Sequence, residues 1–502
     1  MHISFFQIFG YDFRNIIGDL GDSRFIVSII EYNYQWLCGN YSGYWDGFFM
    51  FPDKEVISYS DNLLGITPFY SIFRLFGADN LMAFQLLILL CHILNYITSY
   101  YVFNKLTNNK YAASAGAFIF AFSLIVNGIH NHPQFIFRFF VPLVFYFLYQ
   151  YLNTKNVRDL LLCTFFIVLQ FYLGVYLGYF TFFFGALFAL CFLVFNFQKP
   201  ELKMIIKRTV HLLLTGLGAG VLLGPMFYFY YKRNQITGYY TDFNEVLETV
   251  PQVSSYFKAF PGAVAWHFLS STPVQSKYEW FHFLFPGILI ILSFIFAFFL
   301  AGKGYNKKLL LTLIVMSVCC FILTTNFNTH CLYDNILLHI PGFKAIRVVS
   351  RLVLVWVFFM AWTVSISVTY LATLNIKGVR VVLILLPFLL VFDNYCKADS
   401  FVIYPKSVSQ ERTNSIKNKI LSTLGYKNYL AFAYIPSGPD EAYKIQIDAM
   451  LVAVELKTKT INGYSSSCHG QFGPVWEKHD SLSVATWLQQ MKIPQEKVLF
   501  VR

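Results

Sequence analysis

Charged side chains are scarce in this chain. They make up 13% of its 502 residues, while hydrophobic residues make up 57%. Soluble globular proteins carry about 25% charged residues. Apolar runs of roughly 16–24 residues recur along the chain, and about 20 such residues are enough to cross a bilayer. The scarcity of charge therefore excludes an ordinary soluble protein and predicts a polytopic membrane protein.

Paired cysteine spacings are also lacking. The chain has nine cysteines, and no CxxC pair or zinc-type spacing occurs among them. The sequence therefore predicts neither a disulfide framework nor a zinc site, and no metal ligand is assigned. A divalent cation stays open as a cofactor. Most of the cysteines lie inside apolar runs, as small hydrophobic side chains do: Cys91, Cys163, Cys191, Cys319 and Cys320.

No internal repeat is visible, and no signal peptide is predicted. Residues 1–17 include Asp12 and Arg14 and lack an apolar core of the required length. Residues 63–76 are apolar but short and contain Pro68 and Arg74, which favours an interfacial or re-entrant helix.

The apolar runs predict a mainly α protein, a transmembrane helix bundle of about ten spans. The fourth and fifth spans are separated only around Gly174 and Gly178. The predicted spans are residues 80–103, 111–128, 134–152, 159–174, 178–197, 210–230, 281–301, 308–325, 350–373 and 379–395.

Polar regions flank this bundle and divide the chain. Residues 1–79 form an N-terminal segment, residues 80–395 the bundle with a long loop at 231–280, and residues 396–502 a small α/β C-terminal domain.

Positive charge predicts the orientation. One alternate set of short loops is basic, whereas the short loops near 129–133 and 175–177 carry no Lys or Arg. By the positive-inside rule the basic loops are cytoplasmic, so both polar ends of the chain lie outside. This topology explains most of the net charge of +12 without nucleic acid. The basic residues are Lys105, Lys110, Lys155, Arg158, Lys199, Lys203, Lys207, Arg208, Lys303, Lys307, Lys308, Lys377 and Arg380.

Two acidic clusters precede the first span. Asp19 and Asp22 are three residues apart, with Arg24 close behind, and Asp61 lies in a second cluster, Ser60-Asp61-Asn62. Residues three apart share a helix face, and a carboxylate at a water-accessible membrane mouth can act as a general base. Asp19 and Asp22 are therefore candidate catalytic residues. The alternative is a capped, solvated turn.

Basic residues at the predicted outer end of the ninth span oppose the charge trend. Arg347 and Arg351 are four apart and project from one helix face, and Arg suits a bidentate grip on phosphate. Arg138, at the outer end of another span, either faces a cavity or snorkels to the interface. We expect these three arginines to bind the phosphate of an anionic lipid. The alternative for Arg347 and Arg351 is pairing with Asp19, Asp22 or lipid headgroups.

Other polar residues on the predicted outer side are candidates for substrate contact. His130 and His132 flank Asn131 in a short loop and suit a substrate or, less favourably, a metal. Glu279 at a span entrance suits a sugar hydroxyl or simply marks the interface. Trp36, Trp45, Trp266 and Trp280 fit an interfacial belt.

Several short motifs then occur in a characteristic order over nearly the whole chain. They are Gly18-Asp19-x-x-Asp22-x-Arg24-Phe25, Phe51-Pro52, Tyr59-Ser60-Asp61-x-x-Leu64-Gly65-x-x-Pro68, Pro341-Gly342-Phe343-x-x-Ile346-Arg347-Val348-x-x-Arg351, Asp448-Ala449-Met450 and Asn462-Gly463-Tyr464-Ser465. With these motifs the chain resembles integral-membrane glycosyltransferases of the GT-C superfamily, and more closely the YfhO-like group of bacterial membrane proteins.

The resemblance implies an enzyme of the bacterial cytoplasmic membrane whose active site faces outward. It implies a polyprenyl-phosphate sugar donor, a glycan or lipid acceptor, and an inverting transfer with Asp19 or Asp22 as the base. Arg347 and Arg351 match the donor phosphate site. The substrate contacts assigned on this basis are Arg24, Asp61, His130, His132, Glu279 and Tyr464.

One feature departs from the superfamily, which normally has a transmembrane helix before the acidic loop. Only 17 residues precede Gly18 here, so that helix is expected to be missing or partial. Two rival functions remain, a transporter or flippase of a lipid-linked saccharide and a non-catalytic scaffold. The missing repeat and the large polar regions favour the enzyme over a transporter.

Overall fold

The fold is described from a computed structural model over residues 8–129, 132–197, 201–237, 242–327, 330–436 and 438–502. The first helices are α1 (Asp22–Leu37), α2 (Thr67–Leu75), α3 (Asn80–Thr107), α4 (Lys110–Phe122), α5 (Leu124–Asn127), α6 (Val141–Thr154), α7 (Val157–Leu173), α8 (Val175–Phe195), α9 (Leu202–Thr237) and α10 (Phe243–Leu247). The later ones are α11 (Ile288–Gly302), α12 (Lys307–Thr324), α13 (Leu332–Asn335), α14 (Val353–Thr373), α15 (Lys377–Asn394), α16 (Lys406–Leu421), α17 (Ala442–Leu456), α18 (Gly473–Lys478) and α19 (Ser481–Gln490).

Strands are few and short. They are β1 (Asn15–Ile17), β2 (Asn326–Phe327), β3 (His330–Cys331), β4 (Ile403–Pro405), β5 (Ala431–Tyr434) and β6 (Val498–Val501). They pair as antiparallel β1–β4 and β2–β3 and parallel β5–β6. The protein is thus mainly α-helical, as the sequence predicts.

Every predicted span coincides with a helix. In the described part of the chain, seven helical segments are long and apolar enough to cross a membrane, which makes this a multi-pass membrane protein. These segments are Asn80–Thr107, Lys110–Asn127, Pro133–Thr154, Val175–Phe195, Leu202–Gln235, Lys307–Thr324 and Val349–Thr373.

The other three predicted spans form helices that do not meet that measure. Helix α7 has 17 residues, α11 has 15, and α15 has 18 with Pro387 inside it. At a rise of about 1.5 Å per residue, 15 residues reach roughly 22 Å, short of a hydrocarbon core of about 30 Å. Apolar composition indicates membrane contact at these positions, but helix length also depends on where the turns fall.

Helices α7 and α8 form a hairpin whose only connecting residue is Gly174. Gly178 packs against Phe171, and a Cβ added at Gly178 would lie 2.5 Å from the Phe171 ring. A side chain there would separate the two helices. This explains why the sequence shows so weak a boundary between them.

Helix α14 lies at the centre of the bundle. Of its most apolar stretch, 94% is buried, and large side chains such as Phe358 and Trp362 are fully enclosed. A helix that is apolar on all sides is expected in a core. Helix α4 approaches it closely, since a Cβ on Gly116 would lie 2.8 Å from the Ala361 carbonyl.

Helix α9 takes the opposite position. Only 17% of its most apolar stretch is buried, so its leucines and valines are free to face lipid. Its C-terminal end is nevertheless anchored, because Tyr230 donates a 2.6 Å hydrogen bond to the Ser60 carbonyl and Arg233 pairs with Asp53 at 2.8 Å.

The two polar ends of the chain join in one body, here called the terminal unit (residues 8–79 and 396–502). Strand β1 pairs with β4, with Ile16 opposite Tyr404. Helix α1 packs against α17, and the fully buried Arg24 lies 2.5 Å from Asp448 on α17. The two regions that the sequence analysis treats separately thus share a core. The side of the membrane on which the terminal unit lies stays a prediction from charge.

Candidate active site

Asp22 begins helix α1 at a turn that Asp19 stabilises. After β1 the chain turns at Gly18, which has a φ of +94°, a conformation that glycine adopts readily. Oδ1 of Asp19 then accepts hydrogen bonds from the backbone N–H groups of Gly21 (3.0 Å) and Asp22 (3.1 Å). Asp19 therefore caps the turn, whereas the Asp22 carboxylate is left to project from the start of the helix.

The Asp22 carboxylate is held by two side chains from distant parts of the chain. Nδ1 of His132 lies 2.6 Å from its Oδ2, and the Tyr464 hydroxyl donates to its Oδ1 at 2.8 Å. The side chains of Asp22 and His132 are 27% and 24% exposed, respectively. Each is therefore accessible to a ligand although it is hydrogen-bonded.

The surroundings keep Asp22 ionised. Burial raises its pKa, but the hydrogen bond and charge of His132, the Tyr464 hydroxyl and the charge of Arg351 together hold the pKa below its usual value. Burial and the Asp22 carboxylate raise the pKa of Tyr464, so its hydroxyl keeps the proton that it donates.

Arg351 lies between two aromatic rings. Its guanidinium carbon is 4.3 Å from the ring centroid of Phe135 and 5.5 Å from that of Phe281. In the described ranges, no carboxylate lies within 4.0 Å of its nitrogens and no hydrogen bond to them is found. The guanidinium is therefore held in place by its faces, and its N–H groups are available.

Asp61 also interacts electrostatically with Arg351. Its Oδ1 accepts a 2.8 Å hydrogen bond from the backbone N–H of Val175, the first residue of α8. Burial raises the pKa of Asp61, opposed by that N–H and by the charge of Arg351. Asp61 thus caps a membrane helix and, with Asp22, places a second carboxylate near Arg351.

A narrow cleft of about 40 Å³, partly open to solvent, lies at this end of the bundle. Its polar lining includes His132, Ser350 and Arg351, and its apolar lining includes Ile129, Trp280 and Phe281. His132 stacks on Phe281 with centroids 6.2 Å apart, so a single aromatic ring contacts both His132 and Arg351. The lining therefore places one cation beside an apolar surface.

Arg347 lies at the rim of this region. Its Nη2 is 3.8 Å from Oε2 of Glu245, and both side chains are largely exposed. Its charge acts on Tyr464 and on Arg351. The structure thus brings Arg347 near the other candidates. Arg351 acts directly on Asp22, whereas Arg347 acts on Tyr464, which in turn donates to Asp22.

Arg24 and Arg138 are placed elsewhere. Arg24 is fully buried and pairs with Asp448, and its Nε donates to Ser409 at 2.9 Å. Arg138 is fully buried inside the bundle, where it donates to the backbone carbonyls of Leu354 (2.8 Å) and Phe120. Both guanidinium groups connect structural elements, and neither lines the cleft.

The remaining candidates are divided. The side chain of Glu279, whose neighbour Trp280 lines the cleft, lies 3.3 Å from Lys258. His130 falls outside the described residues. No group of three or more His, Cys, Asp or Glu side chains suited to a metal ion occurs within the ranges that the structure describes.

Two aromatic residues of the site were missed by sequence reasoning. Phe135 and Phe281 hold Arg351, but the chain has 57 phenylalanines and nothing in the pattern distinguishes these two. The useful signal was Arg351 itself. It has no Asp or Glu neighbour in the sequence, so other groups must stabilise its charge.

Comparison with known proteins gives little at the level of sequence. No family model matches the chain, and no curated protein matches it. Among solved structures, the chain is similar to ArnT from Cupriavidus metallidurans in the apo state. The match has 12% sequence identity and a TM-score of 0.48, and covers 97% of this chain and 88% of ArnT.

Proposed function

We propose that the protein is a membrane glycosyltransferase of the GT-C type that moves a sugar from a polyprenyl-phosphate donor to a glycan or lipid acceptor of the cell envelope. The observation that carries this proposal is the contact of Asp22 with His132, which lines the same cleft as Arg351. The charges of Asp22 and Arg351 act on each other, and among the described residues no carboxylate lies within 4.0 Å of the Arg351 nitrogens. A base and an anion-binding group in one place are what such a transfer requires.

In this proposal Asp22 is the general base. It removes the proton of the acceptor hydroxyl as that oxygen attacks the anomeric carbon, and the bond from that carbon to the phosphate oxygen breaks with inversion. Asp19 instead holds the turn before α1 in place, because its Oδ1 already accepts hydrogen bonds from two backbone N–H groups. Asp22 also has the stronger case because Tyr464 and His132 fix its orientation.

Arg351 binds the donor phosphate, and Arg347 at the rim provides a second positive charge as the ligand enters. Charge on the leaving phosphate is stabilised by donors that are already in place before the reaction. Arg138 has no part in this step because its guanidinium is fully buried among helices and bonded to carbonyls. The apolar wall that includes Ile129 and Phe281 suits the first isoprene units of the lipid.

Asp61, Tyr464 and His132 contribute to substrate binding by shaping this site. The active site faces outward from the bacterial cytoplasmic membrane if the basic loops are cytoplasmic. The acceptor then approaches from the terminal unit, which supplies both Asp22 and Tyr464.

The decisive experiment measures bond cleavage. Full-length protein is purified into liposomes with the lipid-linked sugars extracted from its own host, and release of free polyprenyl phosphate is followed by mass spectrometry. Asp22→Asn should abolish this release while expression stays unchanged. Asp334→Asn, an exposed aspartate on α13, is the matched control and should behave as the parent protein.

The same assay separates the rivals. A transporter or flippase moves the intact lipid-linked sugar across the liposome membrane and releases no polyprenyl phosphate. A scaffold shows neither transport nor release. Either result from the unaltered protein with its host extract would overturn the proposed function.

A further inference from the structure

His132 presents its two ring nitrogens to different surroundings. Nδ1 faces Asp22 at 2.6 Å. The two nitrogens lie on separate edges of the ring, and among the described residues Nε2 has no hydrogen-bond partner. The ring is a quarter exposed and lines the cleft next to Arg351. Stacking on Phe281 and an edge contact with Phe135, at centroid distances of 6.2 and 6.3 Å, fix the plane of the ring.

We propose that Asp22 and His132 form a proton relay that joins the acceptor to the leaving phosphate. This inference rests on the proposed function and adds a reacting group to it. His132 is the catalytic acid, and its Nε2 donates to the phosphate oxygen that leaves the sugar.

The proton balance closes over one catalytic cycle with exchange through solvent. The acceptor O–H breaks, its oxygen forms the new bond to the anomeric carbon, and its proton goes to Asp22. The bond between the anomeric carbon and the phosphate oxygen breaks with its electron pair staying on that oxygen, which takes the Nε2 proton of His132. In this sequence His132 begins with a proton on each ring nitrogen, and Nδ1–H donates to the Asp22 carboxylate throughout. After the transfer Asp22 gives its new proton to solvent and Nε2 takes one from solvent, which restores both groups. No oxidant or metal is needed.

Charge explains why a second cation is needed beside Arg351. A phosphodiester carries one negative charge, whereas the monoester that leaves carries about −1.5 to −2 at neutral pH. One guanidinium balances one negative charge, and that of Arg351 already interacts with the carboxylates of Asp22 and Asp61. Arg347 is engaged at the rim with Glu245. A protonated imidazole supplies the missing charge next to the oxygen on which it develops.

Imidazoles and phosphate monoesters have similar proton affinities as free groups. In model compounds an imidazole titrates near 6.5 and the second ionisation of a phosphate monoester near 6. General acids work best when their pKa is close to that of the group they protonate. The titratable and charged groups that face the dyad are Asp19 on the preceding turn, Tyr464 from the terminal unit and Arg351 from the bundle.

The test uses the unaltered full-length protein and a polyprenyl monophosphate in detergent micelles. Binding is measured at pH 8 by calorimetry in buffers of different ionisation enthalpy, which reports the protons taken up. At this pH the free phosphate is largely dianionic and free imidazoles are largely neutral. The relay predicts net proton uptake on binding, because the bound dianion draws a proton onto His132. The uncharged polyprenol should cause no uptake.

Two variants then identify the residue that takes up the proton. His132→Asn should abolish the uptake and weaken binding about 10-fold at pH 7, the loss expected of one charge-assisted hydrogen bond. The weakening should shrink at pH 9. His339→Asn, an exposed histidine far along the chain, should change neither. A deficit of the same size at both pH values would show a structural role and overturn the relay.

The two proposals fail in different ways. Binding of the monophosphate without proton uptake in the unaltered protein overturns the relay and leaves the phosphate site standing. No binding of the monophosphate overturns the proposed function and the relay with it. Because both readouts come from the unaltered protein, they do not depend on whether a variant folds.

Discussion

Asp22 and His132 lie 110 positions apart in the chain, and their side chains approach to 2.6 Å. Asp22 belongs to the terminal unit, and His132 lies between helices α5 and α6 of the bundle. This contact joins an ionised carboxylate to a residue that lines the same cleft as Arg351. It also means that the polar ends of the chain do more than cover the bundle, because they supply part of the site.

The first prediction separates the two early aspartates. Asp22→Asn should lower sugar transfer about 100-fold or more, the range for loss of a general base. Asp19→Asn keeps an oxygen for the two backbone N–H groups and should retain most of the activity. Release of polyprenyl phosphate in liposomes measures both. If the Asp19 variant were inactive and the Asp22 variant active, the base assignment would be reversed.

A second prediction concerns the arginine between the two rings. Arg351→Gln should weaken polyprenyl monophosphate binding about 100-fold, since it removes a charged and bidentate partner. Arg351→Lys keeps the charge but loses the planar fit between Phe135 and Phe281, so an intermediate loss is expected.

Arg347→Gln serves as the comparison for Arg351. It removes the same charge from the rim, where the side chain is exposed and meets Glu245. Surface ion pairs contribute little, so binding should weaken only about 3-fold or less. Equal losses at both positions would argue that the phosphate lies at the rim.

A third prediction is a pH dependence of stability. The pKa of Asp22 lies below its ordinary 3.8 in the folded protein, so the groups that lower it stabilise the fold at neutral pH. This contribution is present above the unfolded pKa and is lost as the pH falls through the folded one. Tyr464→Phe removes one of these groups.

The Tyr464→Phe variant should therefore unfold at a lower temperature than the parent protein at pH 5 to 7. The difference should shrink as the pH falls below 3.8 and through the lowered pKa of Asp22. Thermal unfolding in detergent measures it. A difference that stays constant through the pH range in which Asp22 takes up its proton would mean that Tyr464 acts through packing alone, for example on Phe25.

A fourth prediction tests the role of Arg24. Arg24→Met should destabilise the terminal unit by about 3–5 kcal/mol, because it leaves the buried Asp448 with one partner fewer. The double variant Arg24→Met and Asp448→Leu should recover part of this loss. Limited proteolysis and thermal unfolding report on the terminal unit. If the Arg24→Met variant had normal stability but did not bind substrate, Arg24 would be assigned to substrate binding instead.

The fifth prediction concerns a helix cap formed by Asp393, a residue outside the lining of the cleft. Asp393 accepts hydrogen bonds from the backbone N–H groups of Ile288 (3.0 Å) and Leu289 (3.1 Å) and from the Trp266 indole (2.9 Å). Asp393→Ala should lower the free energy of unfolding by about 1–2 kcal/mol, the usual loss for a helix cap. Transfer activity at permissive temperature should be retained.

Much of the bundle could be read from the sequence. Helix α14 is apolar on every face and is buried, and the boundary at Gly174 was visible as a weak break. The lengths of α7, α11 and α15 could not be read, because an apolar run does not show where a helix is capped or where a turn begins. The cap of α11 comes from Asp393, about a hundred positions away in the chain.

By itself the sequence determined that this chain enters a membrane and which residue types its site requires. Apolar run length and charge are local properties, so the transfer of each segment into lipid is set by the segment alone. Only the tertiary structure decided which acidic side chain meets His132 and Tyr464, and which arginine has no carboxylate within 4.0 Å among the described residues. The reason is that Asp22 meets Tyr464 across 442 positions, and contacts of that range depend on how whole helices pack rather than on any neighbouring residue.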